Sequence, residues 1–133
     1  MKIAIIADDT KKKLMCQFCT AYCGILSKHQ ICATGTTAKY ISEAAGLSIE
    51  ALLPGSVGGE SQIAARMTYG EVDLLICFRD GRKEPKFSDR DFAEILRLCV
   101  VYNIPFAINI GTAEALIIAL DRGDLDWRLY QNG

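Results

Sequence analysis

Histidine is almost missing from this chain: one residue in 133, His29, at the start of a short apolar run. If that run is a strand of a parallel sheet, its amino end faces away from the side where such sheets bind ligands. His29 is therefore expected to be structural, and proton transfer near neutral pH falls to other groups. Basic blocks are missing as well. Fifteen Lys and Arg against sixteen Asp and Glu leave a net charge of -1, which argues against nucleic acid as a partner. No apolar run approaches the length of a membrane span, and the first residues lack the pattern of a secretory signal. Met1-Lys2 leads straight into an apolar run, so a cytoplasmic protein with no membrane partner is expected.

Cysteine is not scarce, with six residues, but second ligand pairs are. Cys16-Gln17-Phe18-Cys19 has the form C-x-x-C, which in other settings marks a redox pair or half a zinc site. Here it lies inside a helical pattern rather than at a helix start just after a strand, and Cys32, Cys77 and Cys99 fall singly in apolar runs. Nothing completes a tetrahedral site by spacing. The cysteines read as small core residues, and no metal is expected.

What the chain does have is alternation. Half of its residues are hydrophobic, enough to bury the core of a single domain over residues 1–133. Residues 2–7 (KIAIIA), 29–33, 72–78 (VDLLICF) and 106–109 are apolar runs of strand length, as expected of strands buried on both faces. Between and after them, residues 11–26, 38–45, 61–69, 89–101 and 113–120 carry apolar side chains at helical spacing. Gly46 is expected to stop the second of these helices. Residues 48–53 are apolar but of uncertain type, and the tail 121–133 offers Trp127 and Tyr130 as docking points. Four strands alternating with helices define an α/β fold with a central, mainly parallel sheet. Ligands bind beyond the carboxyl ends of such strands, and those ends carry Asp8, Asp9, Thr34, Thr36, Thr37, Arg79, Asp80 and Asn109.

Ala33-Thr34-Gly35-Thr36-Thr37 stands where the second strand gives way to a helix. A glycine lets the backbone turn with its amides outward, the hydroxyls add donors, and the helix N-terminus adds partial positive charge. Such a segment either cradles a phosphate or carboxylate or is an ordinary helix cap. Lys11, Lys12 and Lys13 open the first helix against its dipole, as a solvated face or as an anion site. A second glycine-rich loop, Pro54-Gly55-Ser56-Val57-Gly58-Gly59, ends on Glu60 at another helix entrance, and the polar stretch 81–88 has the length of an active-site loop.

Taken together, KIAIIADD, ATGTT, GSVGGE, FRD and NIPFAINIGTAEALI resemble the methylglyoxal synthase family over essentially the whole chain. The resemblance implies a three-layer α/β/α fold, a homohexamer, no cofactor, and a lyase that eliminates phosphate from dihydroxyacetone phosphate to give methylglyoxal. It implies that Lys12, Thr34, Gly35, Thr36, Thr37 and Gly55 bind the phosphate of the substrate and the inorganic phosphate released. Asp9, Asp80 and Asp91 match acidic positions of the family's active site. The chain departs from the family where catalysis handles protons: Asp8 and Ser88 stand where histidines are usual, Glu60 replaces an aspartate, and Pro54 replaces a serine. Glu60 is one methylene longer, and the glycines beside it are expected to absorb the difference. Because these positions are altered, a second function is also consistent with the sequence: a regulatory relative that binds a phosphate ester without turning it over.

Overall fold

The computed structural model of the chain describes residues 1–82 and 90–131. Its sheet contains β1 (Lys2–Ala7), β2 (Gln30–Ala33), β3 (Glu50–Ala51), β4 (Leu74–Phe78) and β5 (Phe106–Ala107). The strands lie in the order β3-β2-β1-β4-β5, and every neighbouring pair is parallel. Successive side chains of a strand point to opposite faces, and both faces here are apolar. Ile3, Ile5 and Ala7 of β1, with Leu74, Ile76 and Phe78 of β4, pack against Met15, Phe18, Ala38, Ile41, Ala113 and Ile117. These belong to α1 (Lys12–Ala21), α3 (Gly35–Ala45) and α6 (Ile110–Asp121). Ala4, Ile6, Leu75 and Cys77 face the other way, onto Ile63 and Met67 of α4 (Gly59–Thr68) and Ile95, Leu98 and Cys99 of α5 (Arg90–Val101). Burial on both faces is why these strands read as unbroken apolar runs. The result is a three-layer α/β/α arrangement.

Several boundaries differ from the sequence reading, each for a local reason. The sheet has five strands, not four. The added one, β3, is a two-residue exposed edge paired to Cys32 and Ala33, too short for a periodic signal. The first helix is divided: a 3-10 turn at Asp9–Lys11 precedes α1, and Tyr22 separates α1 from α2 (Cys23–Leu26). The next helix, α3, begins at Gly35 rather than at residue 38, and it ends at Gly46, whose φ of 68° is left-handed as expected of a C-terminal glycine. At the tail, Trp127 and Tyr130 are exposed, whereas Leu125 and Arg128 are buried. Arg128, in α7 (Arg128–Gln131), donates to the carbonyls of Val72, Tyr102 and Asn103 and pairs with Asp73. The docking points are thus a leucine and an arginine.

Topology fixes where a ligand can enter. From β1 the chain moves outward to β2 and β3, then returns through α4 to β4 on the other side of β1. The connections after β1 and β4 therefore lead toward opposite edges of the sheet, which makes this the switch point at which open α/β sheets bind ligands. Beneath it Phe78, the last residue of β4, packs edge-on against Phe18 of α1 with ring centroids 5.8 Å apart. That contact anchors the strand end carrying the next two residues, Arg79 and Asp80.

Candidate active site

An open cleft of about 810 Å³ lies at this switch point. Its lining includes Asp8, Asp9, Lys12, Thr34, Thr36, Gly55, Glu60, Asp80 and Asp91, so five elements contribute residues singled out in the sequence. Gly35 and Thr37 support the wall from behind. Ser88 lies outside the described residues. His29 is at the far end of the sheet, where the terminal ammonium donates to its Nδ1 at 2.9 Å. Asn109 is likewise occupied, accepting from the Thr112 amide to cap α6.

The threonine segment is built by close approach. Gly35 does not have a left-handed backbone; it is needed because a Cβ there would lie 2.7 Å from the Leu52 carbonyl oxygen, while its amide donates to the neighbouring Leu53 carbonyl. Thr34 stands at the N-cap but its side chain caps nothing. Instead its hydroxyl donates to that of Thr37 at 3.3 Å, both buried. The simple capping role is therefore not the one adopted. By helix geometry, the amides of the first turn have no intrahelical acceptor, and the positive end of α3 is directed at the cleft rim where Thr34 and Thr36 lie.

Lys12 supplies a full charge beside it. Its ammonium is held at 2.9 Å from the Ala7 carbonyl and 3.0 Å from Asp9, and only 14% of the side chain is exposed. Of the three lysines at the start of the first helix, this is the one that reaches the cleft. The opposite wall is acidic and cross-tied. Asp8 accepts from the Asp80 amide at 2.7 Å, and Asp80 accepts from the Thr10 hydroxyl at 2.8 Å and the Arg82 amide at 3.0 Å. These bonds lock the loop after β1 to the loop after β4. Glu60, in the first turn of α4 and 13% exposed, faces Arg79. The glycines before Glu60 are not slack: a Cβ on Gly59 would lie 2.0 Å from the Leu53 carbonyl oxygen. The extra methylene of Glu60 must be taken up by its own torsions.

The sequence places Arg79 at a ligand-binding strand end without giving it a role; the fold brings it into the lining of the cleft. Among the described lining residues it and Lys12 are the cations, against five carboxylates. Those carboxylates are spread around the rim; among the described residues no three His, Cys, Asp or Glu side chains converge closely enough to hold a metal ion. The cysteines are not among the lining residues, and burial pushes the thiols of Cys19 up to about 12 and of Cys99 up to about 11. Cys19, Cys32, Cys77 and Cys99 are buried in the core, whereas Cys16 and Cys23 are only partly buried.

A helix start, a lysine and a facing carboxylate thus meet at the switch point of a doubly wound sheet, where folds of this class bind ligands. A family model described as the MGS-like domain matches residues 15–108. The methylglyoxal synthase of Caldicellulosiruptor saccharolyticus is 52% identical over 132 residues, covering 99% of this chain and 93% of that protein. That of Geobacillus thermodenitrificans is 47% identical over 133 residues, covering 100% and 92%. A crystal structure of methylglyoxal synthase from Elizabethkingia anophelis superposes with a TM-score of 0.80 at 34% identity, covering 87% of this chain and 76% of that one. The chain belongs to the methylglyoxal synthase family.

Proposed function

We propose that the chain is a lyase that eliminates phosphate from dihydroxyacetone phosphate to give methylglyoxal and inorganic phosphate, by general acid-base catalysis. The observation that carries this reading is the division of the cleft. Lys12, Thr34, Thr36 and the start of α3 lie on one side, and the carboxylate of Glu60 faces in from another helix. The family membership over nearly the full chain supports it independently.

The reaction then runs as follows. The phosphate ester sits against Lys12 and the first turn of α3, where ammonium and amides complement its charge. Glu60 takes a proton from the hydroxymethyl carbon, and the electron pair becomes the double bond of an enediolate. The enediolate electrons expel phosphate from the far carbon, with the hydroxyl proton leaving toward the phosphate or a neighbouring carboxylate. Protonation of the resulting enolate at its methylene carbon gives the methyl group of the product. Atoms balance without any oxidant or cofactor. Lys12 and the α3 amides serve both the bound ester and the departing phosphate, whose charge rises as the carbon–oxygen bond breaks.

A closed homohexamer in the cytoplasm completes the proposal, as the assembly and setting that the family resemblance implies. The test is the release of inorganic phosphate from dihydroxyacetone phosphate by the purified protein, with methylglyoxal formed in equal amount. Phosphate-ester binding without either product would instead favour the regulatory reading.

A further inference from the structure

From the geometry of the cleft we infer that Arg79 is a positioning residue for the Glu60 base, holding that carboxylate ionised and aimed into the cleft. This rests on the lyase reading above. Arg79 follows β4 directly, and its guanidinium reaches sideways to both neighbours. Its Nε lies 3.6 Å from Asp8, and a terminal nitrogen lies 3.5 Å from Glu60. The guanidinium carbon stands 4.3 Å from the centroid of the Phe92 ring, a cation–π contact from α5 that fixes the plane of the group. Arg79 is 23% exposed, Asp8 26% and Glu60 13%.

Asp8 and Glu60 both lie within 4 Å of the same guanidinium, and like charges brought near one another favour uptake of a proton. A protonated Glu60 could not act as a base. A cation between the two removes that conflict. The separation matters as well: Arg79 lies 3.5 Å from Glu60, at the long end of hydrogen-bond range, where its charge steers the carboxylate. Lysine would supply charge but neither the planar fork nor the stacking on Phe92. Among the described residues, the other charged groups lining the cleft are Asp9, Lys12, Asp80 and Asp91. Of these, Asp9 is tied to Lys12 and Asp80 to Thr10 and Arg82.

The test compares the full-length parent with Arg79→Met, Arg79→Gln and Arg79→Lys, each labelled with carbon-13 at the glutamate carboxyls. Glu60→Gln identifies the Glu60 resonance. The Glu60 titration midpoint should rise by about one pH unit or more in Arg79→Met and Arg79→Gln. In Arg79→Lys it should stay within about half a unit of the parent. The acidic limb of the phosphate-release profile should move up with the midpoint, and kcat at neutral pH should fall about tenfold or more while KM changes little. A midpoint unmoved in whichever neutral variant is folded would overturn the inference. The titration reads Arg79 even if the parent releases no phosphate, whereas absent phosphate release would overturn the lyase reading itself.

Discussion

At the amino end of the sheet Arg128 is 4% exposed and its guanidinium is saturated by three carbonyls and Asp73. At the carboxyl end Arg79 is 23% exposed and stands among carboxylates at 3.5 and 3.6 Å. The same side chain serves opposite purposes. Arg128 satisfies carbonyls before β4 and β5 that would otherwise lack partners, and so ties the tail to the sheet. Arg79 spreads charge over a cleft where further negative charge must arrive. A buried cation held by carbonyls and a carboxylate is part of the scaffold; one set among carboxylates at an open rim is poised for a ligand.

The contrast is broken most severely from the scaffold side. Arg128→Ala leaves Asp73 and several carbonyls uncompensated, so stability should fall by about 3 kcal/mol or more. Urea unfolding measures it, and activity per folded molecule should be preserved. A loss below about 1 kcal/mol would mean that the tail is held by other contacts. Next comes the ligand response. Phosphate at about 100 times its Kd should stabilise the parent by about 2.7 kcal/mol, seen as a higher Tm. Lys12→Ala and Thr36→Val should each remove most of that rise without unfolding the protein. If both respond like the parent, phosphate binds elsewhere.

Smaller effects sharpen the picture. Gly59→Ala forces a Cβ to within 2.0 Å of a backbone oxygen and should cost about 2 kcal/mol. At Gly55 a Cβ would meet nothing within 4 Å, so Gly55→Ala should stay within about 0.5 kcal/mol of the parent. Equal losses in urea unfolding would contradict this reading of the loop. The least effect is expected at His29. Its pKa is lowered by burial first, then by the terminal ammonium and Lys28. The unfolded chain therefore binds this proton more tightly. The contribution of His29 to stability is complete above the ordinary histidine pKa of about 6.5 and is lost as pH falls through the lower folded value. Parent Tm should drop more than that of His29→Gln between pH 7.5 and 5, values spanning the ordinary pKa by roughly one unit or more; parallel curves would refute it.

Much of the scaffold is legible in the sequence because burial on both faces leaves unbroken apolar runs, as in residues 2–7 and 72–78. Glu50–Ala51 leaves no such trace, since an exposed two-residue edge is set by its partner strand. The early start of α3 was hidden for another reason. Glycine and threonine are poor helix formers, and their place in the first turn is dictated by the approach of Leu52 and by the cap position. Arg128 is invisible in a polar tail, where one arginine looks like any other. In the cleft, Glu60 could be singled out by its place after a glycine-rich loop at a helix entrance, whereas Lys12 was separated from Lys11 and Lys13 only through the family resemblance. The lateral reach of Arg79 to Asp8 and Glu60 depends on three separate loops and appears only in the folded chain.

The division of the cleft into a phosphate-holding side and a proton-taking side is tested most directly by Glu60→Gln, which keeps the shape and removes the charge. Phosphate release from dihydroxyacetone phosphate should fall by about a hundredfold or more, while the rise in Tm with inorganic phosphate stays as large as in the parent. Turnover undiminished in Glu60→Gln would contradict the account and move the base to another carboxylate of the rim.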